Sequence, residues 1–450
     1  MMKNKCLIIL FFAFLLFSCH RNKKVSHLYN GIYTGQIEHI KVLDDTTQSY
    51  LVYLPYSYKA KGKLPIIWAF DAHANADSII NWLLPYAEYY NYIIVASKNF
   101  RNNTQNLDYI LSTFFEDVKK KIVYNQQRQY TIGFSGGARI AYYLAAMDQK
   151  FDGSALLSAG ITPIQFMKNK DINIIMFAGW KDFNLVEIRG KAVSLAKKLG
   201  LPYTVFYFNG SHNYPPHYYA EYVFLWFEAN AIKKGLAKQK RKIIARIKEL
   251  TDSIIQVNND LMMQYDLYIA EKNMLALFSD TMKIVEEIKS LEKREEFTQN
   301  ARLVVNFFNL ESMLRPQYYQ ALFKRDTSWW AREINAYKKK IKEDTSLYRN
   351  FFYHRILSYL SIMCYSVSSN LLSQGDLEKA DKVLTIYEMI EADNPDVYLL
   401  RSCYWLNRTE VAKGMEYFKK SLDLGFSEYD RLKQYKCFEK VYDSLLKVLN

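Results

Sequence analysis

The chain has 450 residues, of which 50% are hydrophobic and 24% are charged, with 16 Gly and 9 Pro. This composition excludes collagen-like, low-complexity and globally disordered classes, and the length predicts two or three globular domains. The formal net charge is +14, but the basic residues are interleaved with acidic ones and form no single stripe with stacking aromatics. We therefore expect no nucleic-acid partner.

The N-terminus is typical of a bacterial secretory leader. Lys3 and Lys5 precede an uninterrupted apolar run over residues 6–17, which at about 1.5 Å per residue is too short to cross a hydrocarbon core of ~30 Å. Residues 16–19, Leu-Phe-Ser-Cys, resemble the lipobox of bacterial lipoproteins. This resemblance implies a signal peptide over residues 1–18 and lipidation of Cys19.

Residues 19–29 are accordingly predicted to be a tether. Through lipidated Cys19 it would hold the protein on a membrane of the bacterial cell envelope, outside the cytoplasm. The basic segment that follows, residues 20–24, suits anionic headgroups. The alternative is a secreted protein that is cleaved near Ser18.

A change of composition divides the rest of the chain near residue 233. Twelve of the 16 glycines and seven of the nine prolines lie before it. Residues 30–232 alternate short β-branched and aromatic runs with helix-length segments, which predicts an α/β fold with a doubly wound, mostly parallel, eight-stranded sheet. Residues 233–450 predict an all-α helical-repeat domain.

The predicted elements of the first part follow one another regularly. The expected strands are residues 32–39, 49–54, 65–71, 92–98, 129–133, 153–158, 172–178 and 203–208. The first two are expected to be antiparallel, and the later ones to be buried on both faces. The expected crossover helices are residues 78–89, 107–123, 136–147, 185–199 and 217–231.

A candidate nucleophile stands between the fifth predicted strand and the helix after it. Residues 133–137 read Gly-Phe-Ser-Gly-Gly, a G-x-S-x-G motif in strand–turn–helix context. A serine held in so sharp a turn needs neighbours without side chains, and the helix N-terminus offers free amides to a developing oxyanion. Ser135 is therefore the predicted nucleophile, and an inactive tight turn is the alternative.

A base and an acid follow later strands at the same edge of the predicted sheet. His212 comes directly after the last strand, so it is the predicted general base. His73 and His217 are the other histidines near this edge, and we expect a lining role for the first and a surface or capping role for the second. Asp182 follows the seventh strand and is the predicted acid, with helix capping as its alternative role. The chain order is then Ser, Asp, His.

These motifs carry a resemblance to a known family. Residues 30–232 resemble an α/β-hydrolase fold serine esterase of the dienelactone hydrolase and polyester depolymerase type. The resemblance implies an oxyanion hole made by the amide of Gly136 and by a second amide from the loop after the third strand, which we place at Ala72. Many relatives have glycine in that loop, whereas this sequence has Ala72 and Ala74.

The sequence thus predicts a lipid-anchored serine hydrolase, most directly a carboxylesterase that works through an acyl-enzyme, with no cofactor or metal. Residues 161–171 leave no room for a lid, so we expect an open site for a bulky ester such as an acylated polysaccharide. The aromatic residues nearby, Phe134, Trp180, Phe183 and Tyr214, are expected in the core. Two alternatives are a weakly active or inactive binding lipoprotein that uses the helical repeats, and a serine peptidase of the same fold.

Two patterns characterise the helical part. Apolar residues recur at helical spacing between Ile243 and Leu261, which predicts one long amphipathic helix. Residues 375–380 and 409–414 align at a spacing of 34, so residues 354–440 resemble tetratricopeptide repeats. Such helices bind a protein partner in a groove or pack on the hydrolase domain.

The three cysteines of this part show no metal or redox spacing. Cys364, Cys403 and Cys437 lack the C-x-x-C pattern, and we interpret them as buried thiols without disulfide bonds.

Overall fold

The protein is described here from a computed structural model. The structure describes residues 25–278 and 281–441. The predicted signal peptide, Cys19 and the first part of the tether lie outside these residues.

Two sheets form within the described residues. The smaller is a hairpin of β1 (Leu28–Tyr29) and β2 (Ile32–Tyr33). The larger has eight strands in the spatial order β10-β9-β8-β7-β5-β6-β4-β3. Its strands are β3 (Ile37–Lys41), β4 (Ser49–Tyr53), β5 (Ile66–Asp71), β6 (Ile93–Ser97), β7 (Gln129–Phe134), β8 (Phe151–Leu157), β9 (Asn173–Gly179) and β10 (Tyr203–Phe208).

The prediction of a mostly parallel, eight-stranded α/β sheet is confirmed. Within the larger sheet, β4 pairs antiparallel with both neighbours, and the pairs from β6 to β10 are parallel. The predicted first strand, residues 32–39, is split between β2 and β3. The break occurs because Gly35 turns the chain with φ +78° and donates its amide to the carbonyl of Leu54.

Helices cover both faces of the larger sheet. The crossover helices are α1 (Ala76–Tyr90), α2 (Leu107–Lys121), α3 (Gly136–Met147), α4 (Val193–Lys198) and α5 (Ala220–Lys233). A π-helical turn, Glu187–Ala192, precedes α4. Apolar side chains of α1 and α5 pack on one face, and those of α2, α3 and α4 pack on the other.

The rest of the described chain is helical; its first helices extend the same two cores, and its later helices enclose a third core of their own. Its helices are α6 (Lys240–Gln256), α7 (Leu261–Leu275), α8 (Met282–Glu292), α9 (Glu295–Lys324), α10 (Thr327–Glu343), α11 (Leu347–Gln374), α12 (Leu377–Ile390), α13 (Pro395–Asn407) and α14 (Val411–Asp423). Side chains of α6 and α7 join the core on the α1 and α5 face, and those of α7, α8, α9 and α11 join the opposite core. Thr204 of β10 donates its hydroxyl to the carbonyl of Ala270 in α7. Helix α7 thus packs directly on the edge strand of the sheet.

The predicted single helix between Ile243 and Leu261 is wrong in its length. The structure has two helices here, because Asp260 caps α7 by accepting from the amide of Met263 at 2.9 Å. Ile243 and Ile247 are buried as expected, whereas Val257 lies between the helices and is 83% exposed.

Helix α11 is long and apolar enough to span a membrane by length and composition. In this structure it is a core helix, since thirteen of its residues are buried and its buried Arg355 pairs with Glu311 of α9. Helices α11 and α12, and likewise α13 and α14, form consecutive packed pairs. Their assignment as tetratricopeptide-like remains a prediction.

One cysteine interpretation is wrong. Cys403 of α13 and Cys437 form a disulfide with a Cα–Cα distance of 5.4 Å, and only Cys364 is a free, buried thiol among the described residues. The sequence pattern missed the bond because a single disulfide between α13 and the later 3₁₀ segment Lys436–Val441 needs no recognisable spacing. The fold alone brings the two Cα atoms within bonding range.

Candidate active site

Ser135 stands in a strained turn between β7 and α3. Its backbone has φ 54° and ψ −118°, a region that residues with side chains rarely adopt. A Cβ atom on Gly133 would overlap the backbone of Gly137, and one on Gly137 would overlap the carbonyl of Phe70. The glycines of the motif therefore permit the close packing of helix on sheet that projects the serine from the carboxyl edge of β7.

A continuous hydrogen-bonded chain joins the three predicted residues. The Nε2 atom of His212 lies 2.9 Å from Oγ of Ser135, and its Nδ1 atom lies 3.0 Å from Oδ1 of Asp182. Asp182 is fully buried, whereas the His212 side chain is 20% exposed. The imidazole can thus take a proton from the serine hydroxyl while the carboxylate fixes its tautomer and stabilises its charged form.

Parallel strands bring these loops together. Asp182 follows β9 and His212 follows β10, and the amide of Lys181 donates to the carbonyl of Gly210 at 2.8 Å. A Cβ atom on Gly179, the last residue of β9, would overlap the carbonyls of residues 210 and 211. The acid and base loops are therefore fixed to each other by backbone contacts.

Two aromatic rings hold the imidazole of His212. Phe183 stacks on it with ring centroids 4.4 Å apart, and Phe134 lies 5.2 Å from it. Phe183 lines the cavity over Ser135 and so does not have the expected core role, whereas Trp180 is 1% exposed and belongs to the core. Phe183 directly follows the predicted acid Asp182 in the sequence, and this position is the signal that could have assigned it to the site.

The loop after β5 is organised by the buried carboxylate of Asp71. Its Oδ1 accepts from the amides of His73 at 2.8 Å and Asn75 at 3.2 Å, and its Oδ2 accepts from the hydroxyl of Tyr214 at 2.7 Å. Ala74 has φ +60°, the left-handed conformation in which glycine is usual. Ala74 is therefore held at a cost in backbone strain.

The two other candidate histidines lie outside the hydrogen-bonded chain. His73 lines the cavity, and its Nδ1 atom is 3.2 Å from Oε2 of Glu428, near the end of the described chain. This contact with Glu428 raises the pKa of His73 despite partial burial. His217 begins a single 3₁₀ turn before α5, and its Nε2 atom lies 3.4 Å from the carbonyl of Asn81.

The site is roofed, so the expectation of an open site is wrong. A cavity of about 790 Å³ lies over Ser135 and His212. One wall is built by the loops of the sheet, and the other by side chains of α11, α12 and the segment after α14, among them Ser358, Tyr387 and Arg431. Residues 161–171 contribute no lid, as expected, since none of them lines the cavity. The roof comes instead from helices almost two hundred residues further along the chain.

A buried group of charges joins this roof to the loop that carries Asp182. Arg355 of α11 donates to the carbonyl of Trp180 at 2.8 Å, and Arg315 of α9 donates to the carbonyl of Phe183 at 2.5 Å. Both guanidinium groups also pair with Glu311, whose side chain is fully buried. The helical part therefore holds the acid loop on both sides of Asp182, a contact that no local sequence signal announced.

Metal ligation is a separate question for the same residues. Across residues 25–278 and 281–441, no group of three or more His, Cys, Asp or Glu side chains is arranged to hold a metal ion.

Comparisons with known proteins give distant structural neighbours. No protein-family model matches the sequence, and the comparison with curated proteins likewise gives no match. A thermostable esterase is 14% identical with a TM-score of 0.34, and the match covers 44% of this chain and 61% of that one. A dienelactone hydrolase-like promiscuous phosphotriesterase from metagenomic libraries is 12% identical, with a TM-score of 0.31 and coverages of 40% and 83%. Dipeptidyl peptidase 4 of Porphyromonas gingivalis is 10% identical, with a TM-score of 0.33 and coverages of 42% and 35%. By their descriptions these three neighbours are an esterase, a phosphotriesterase and a peptidase.

Proposed function

We propose that the protein is a serine hydrolase that cleaves carboxylic esters through Ser135, His212 and Asp182. The observation that carries this proposal is the chain of hydrogen bonds, 2.9 Å and 3.0 Å long, that starts at a serine in a strained strand-to-helix turn. An isolated structural serine needs neither that backbone strain nor an imidazole backed by a buried carboxylate.

The proposed reaction proceeds in two halves. Ser135 Oγ attacks the ester carbonyl while His212 takes its proton, and the tetrahedral intermediate collapses as the imidazolium protonates the leaving alcohol. Water, activated by the same imidazole, then releases the acid from the acyl-enzyme. The amides of Gly136, at the N-terminus of α3, and of Ala72 are the proposed donors to the oxyanion.

The roofed cavity limits the proposed substrate. Its volume, about 790 Å³, suits a compact ester or the end of a longer chain. Charged groups in the wall largely face one another: Arg431 pairs with Asp396 and Glu428, and Glu428 contacts His73. Because these charges are mutually compensated, we favour an uncharged polar substrate, such as the acylated end of a polysaccharide.

A fluorophosphonate probe tests the proposal directly. We expect stoichiometric labelling of the wild type and none of Ser135→Ala, while Ser366→Ala, which changes an exposed serine in the same cavity, labels normally. Asp182→Asn and His212→Ala should each lower turnover by orders of magnitude. Absence of labelling of the wild type would favour the alternative, a binding protein without turnover.

Substrate panels then separate the two hydrolytic alternatives. Acetyl and feruloyl esters should be cleaved faster than amides of the same acids. Faster cleavage of peptides would identify a peptidase. The comparison is needed because ester and peptide hydrolysis share the same tetrahedral intermediate and differ in the leaving group.

We also propose that the protein is held outside the cytoplasm by lipidated Cys19. The disulfide between Cys403 and Cys437 supports an oxidising compartment. Metabolic labelling with a radioactive fatty acid should mark the wild type but not Cys19→Ala. Wild-type protein that takes up no label would refute the lipid anchor, whether or not the protein is found in the membrane fraction.

A further inference from the structure

The edge of the sheet opposite Ser135 carries a concentration of lysines. We call it the amino edge, because the parallel strands begin there, and define it by residues 54–65, 122–128, 148–152, 166–172, 197–202 and 233–238. These segments hold three aspartates and eleven exposed lysines: Lys59, Lys61, Lys63, Lys150, Lys168, Lys170, Lys197, Lys198, Lys233, Lys234 and Lys238. A strand of six residues separates this edge from the active site by about 20 Å.

Most of these lysines are not explained by local structure. Lys150 pairs with Asp148 and Lys234 with Asp152, but the other nine form no ion pair with any residue in the described ranges. A cation in the last turn of a helix is favoured by the helix dipole, which accounts for those at the ends of α4 and α5. Lys61 and Lys170 lie in loops, where that explanation does not apply.

Exposed apolar side chains stand among the lysines. Phe166 is 81% exposed, Val123 is 43% exposed and Leu199 is 41% exposed. Two residues after Phe166, the amide of Lys168 donates to the carbonyl of Ala146 near the end of α3, which places this loop at the amino edge. Apolar side chains that project between cations are the composition of surfaces that lie in a membrane interface.

The described chain also starts at this edge. Thr34 forms a bridge with Leu54, and the ring of Tyr29 contacts that of Tyr58 at 5.2 Å. In the sequence Cys19 precedes Val25 by only six residues, which reach at most about 20 Å when fully extended. A lipid on Cys19 would therefore keep the amino edge close to the membrane.

We propose that the amino edge is a membrane-docking surface that binds anionic phospholipid headgroups through its lysines and inserts Phe166 into the interface. The cavity over Ser135 then faces away from the bilayer. The orientation rests on the proposed lipid anchor, whereas the headgroup binding is a property of the surface itself and does not depend on hydrolase activity. Because multiple acyl chains already suffice for stable attachment, docking fixes the orientation of the protein.

Vesicle binding without the lipid tests the surface by itself. The probe is the chain 19–450 with Cys19→Ser, which keeps every residue that the structure describes, sedimented with vesicles of phosphatidylcholine with or without phosphatidylglycerol. We expect binding to the anionic vesicles only, weakening as salt is added. Since each lysine near an anionic surface contributes about fivefold in partition, Lys61→Glu/Lys170→Glu/Lys198→Glu should reduce binding at least ~100-fold, and Phe166→Ser should also reduce it.

A control of equal charge separates the edge from net charge. Lys339→Glu/Lys342→Glu/Lys419→Glu makes the same change at exposed positions in the helical part and should leave binding near the wild-type level. Equal losses in both triple variants would overturn the proposal, as would equal binding to neutral vesicles. Binding to DNA or heparin as tight as to anionic vesicles, with no effect of Phe166→Ser, would mean a polyanion site and would also overturn it. Fluorophosphonate labelling of Ser135 should be unchanged in every variant, so failure of the docking surface is distinguishable from failure of the hydrolase.

Discussion

The substitution Glu311→Gln tests whether the helical part maintains the active site through buried charge. The Glu311 side chain is 0% exposed, and its partners Arg355 and Arg315 are 3% and 19% exposed. Neutralising the shared carboxylate leaves two guanidinium groups near each other without a counter-charge. Because removing one partner of a buried ion pair costs about 3–5 kcal/mol, we expect a loss of that size in the free energy of unfolding.

The same substitution should lower turnover more than its effect on stability explains. The two arginines hold the carbonyls of Trp180 and Phe183, on either side of Asp182. A displacement of the acid loop by about 1 Å is enough to cost roughly 100-fold in rate, because His212 loses its orientation. We expect kcat to fall with little change in KM.

Urea unfolding followed by tryptophan fluorescence, together with steady-state kinetics on a simple ester, measures both effects. Glu343→Gln is the matched control, because its pair with Lys339 spans 3.9 Å and both side chains are mostly exposed; it should be near neutral. The double variant Glu311→Gln/Arg355→Gln should cost less than the sum of its parts. A loss below about 1 kcal/mol in Glu311→Gln, with kcat intact, would refute the role of the buried charges.

Three further predictions concern the turn, the disulfide and the roof. Gly137→Ala should abolish fluorophosphonate labelling, because its Cβ would fall well within 3.0 Å of backbone atoms, whereas Gly190→Ala meets no atom within 4 Å and should be fully active. Opening the disulfide by Cys403→Ser should cost about 4 kcal/mol from loop-closure entropy over a separation of 34 residues, measured as a lower Tm that dithiothreitol lowers no further. Glu428→Gln should destabilise more at about pH 6 than at about pH 9, because the raised pKa of His73 makes this contact stabilising at low pH and the contribution disappears as pH rises through that pKa. An equal Tm difference at both pH values would contradict it.

The sequence predicted what short-range patterns determine. Each of the eight expected strands has a counterpart in the structure, since buried parallel strands are continuous apolar runs that end at turn residues. The approach of Ser135, Asp182 and His212 followed from the same regularity, because residues that directly follow parallel strands share one edge of a sheet. The first expected strand is interrupted by a turn at Gly35, and the apolar pattern does not show that this residue has a positive φ.

The rest depended on contacts between distant segments. Nothing in the spacing of Cys403 and Cys437 indicates a bond, and nothing near Arg355 indicates that it reaches the carbonyl of Trp180, 175 residues earlier. Periodicity predicts which apolar positions are buried, but it does not show which distant segment they pack against. The roof over the cavity could therefore not be predicted from the sequence. This is why we expected an open site, which is wrong.

The contacts of the roof argue that the sheet and the helices work as one unit. Phe351 of α11 stacks on Trp180, which directly follows β9, and Arg189 pairs with Asp266 of α7 while it packs on the same indole. Without the helices, Trp180 and the apolar face behind it would be exposed to water and the acid loop would lose both of its arginine contacts. The position of Asp182, and hence the orientation of the His212 imidazole toward Ser135, is therefore set in part by residues that follow the sheet in sequence. Selection for ester hydrolysis at this site would act on Glu311 and Arg355 as much as on the hydrogen-bonded chain that they support.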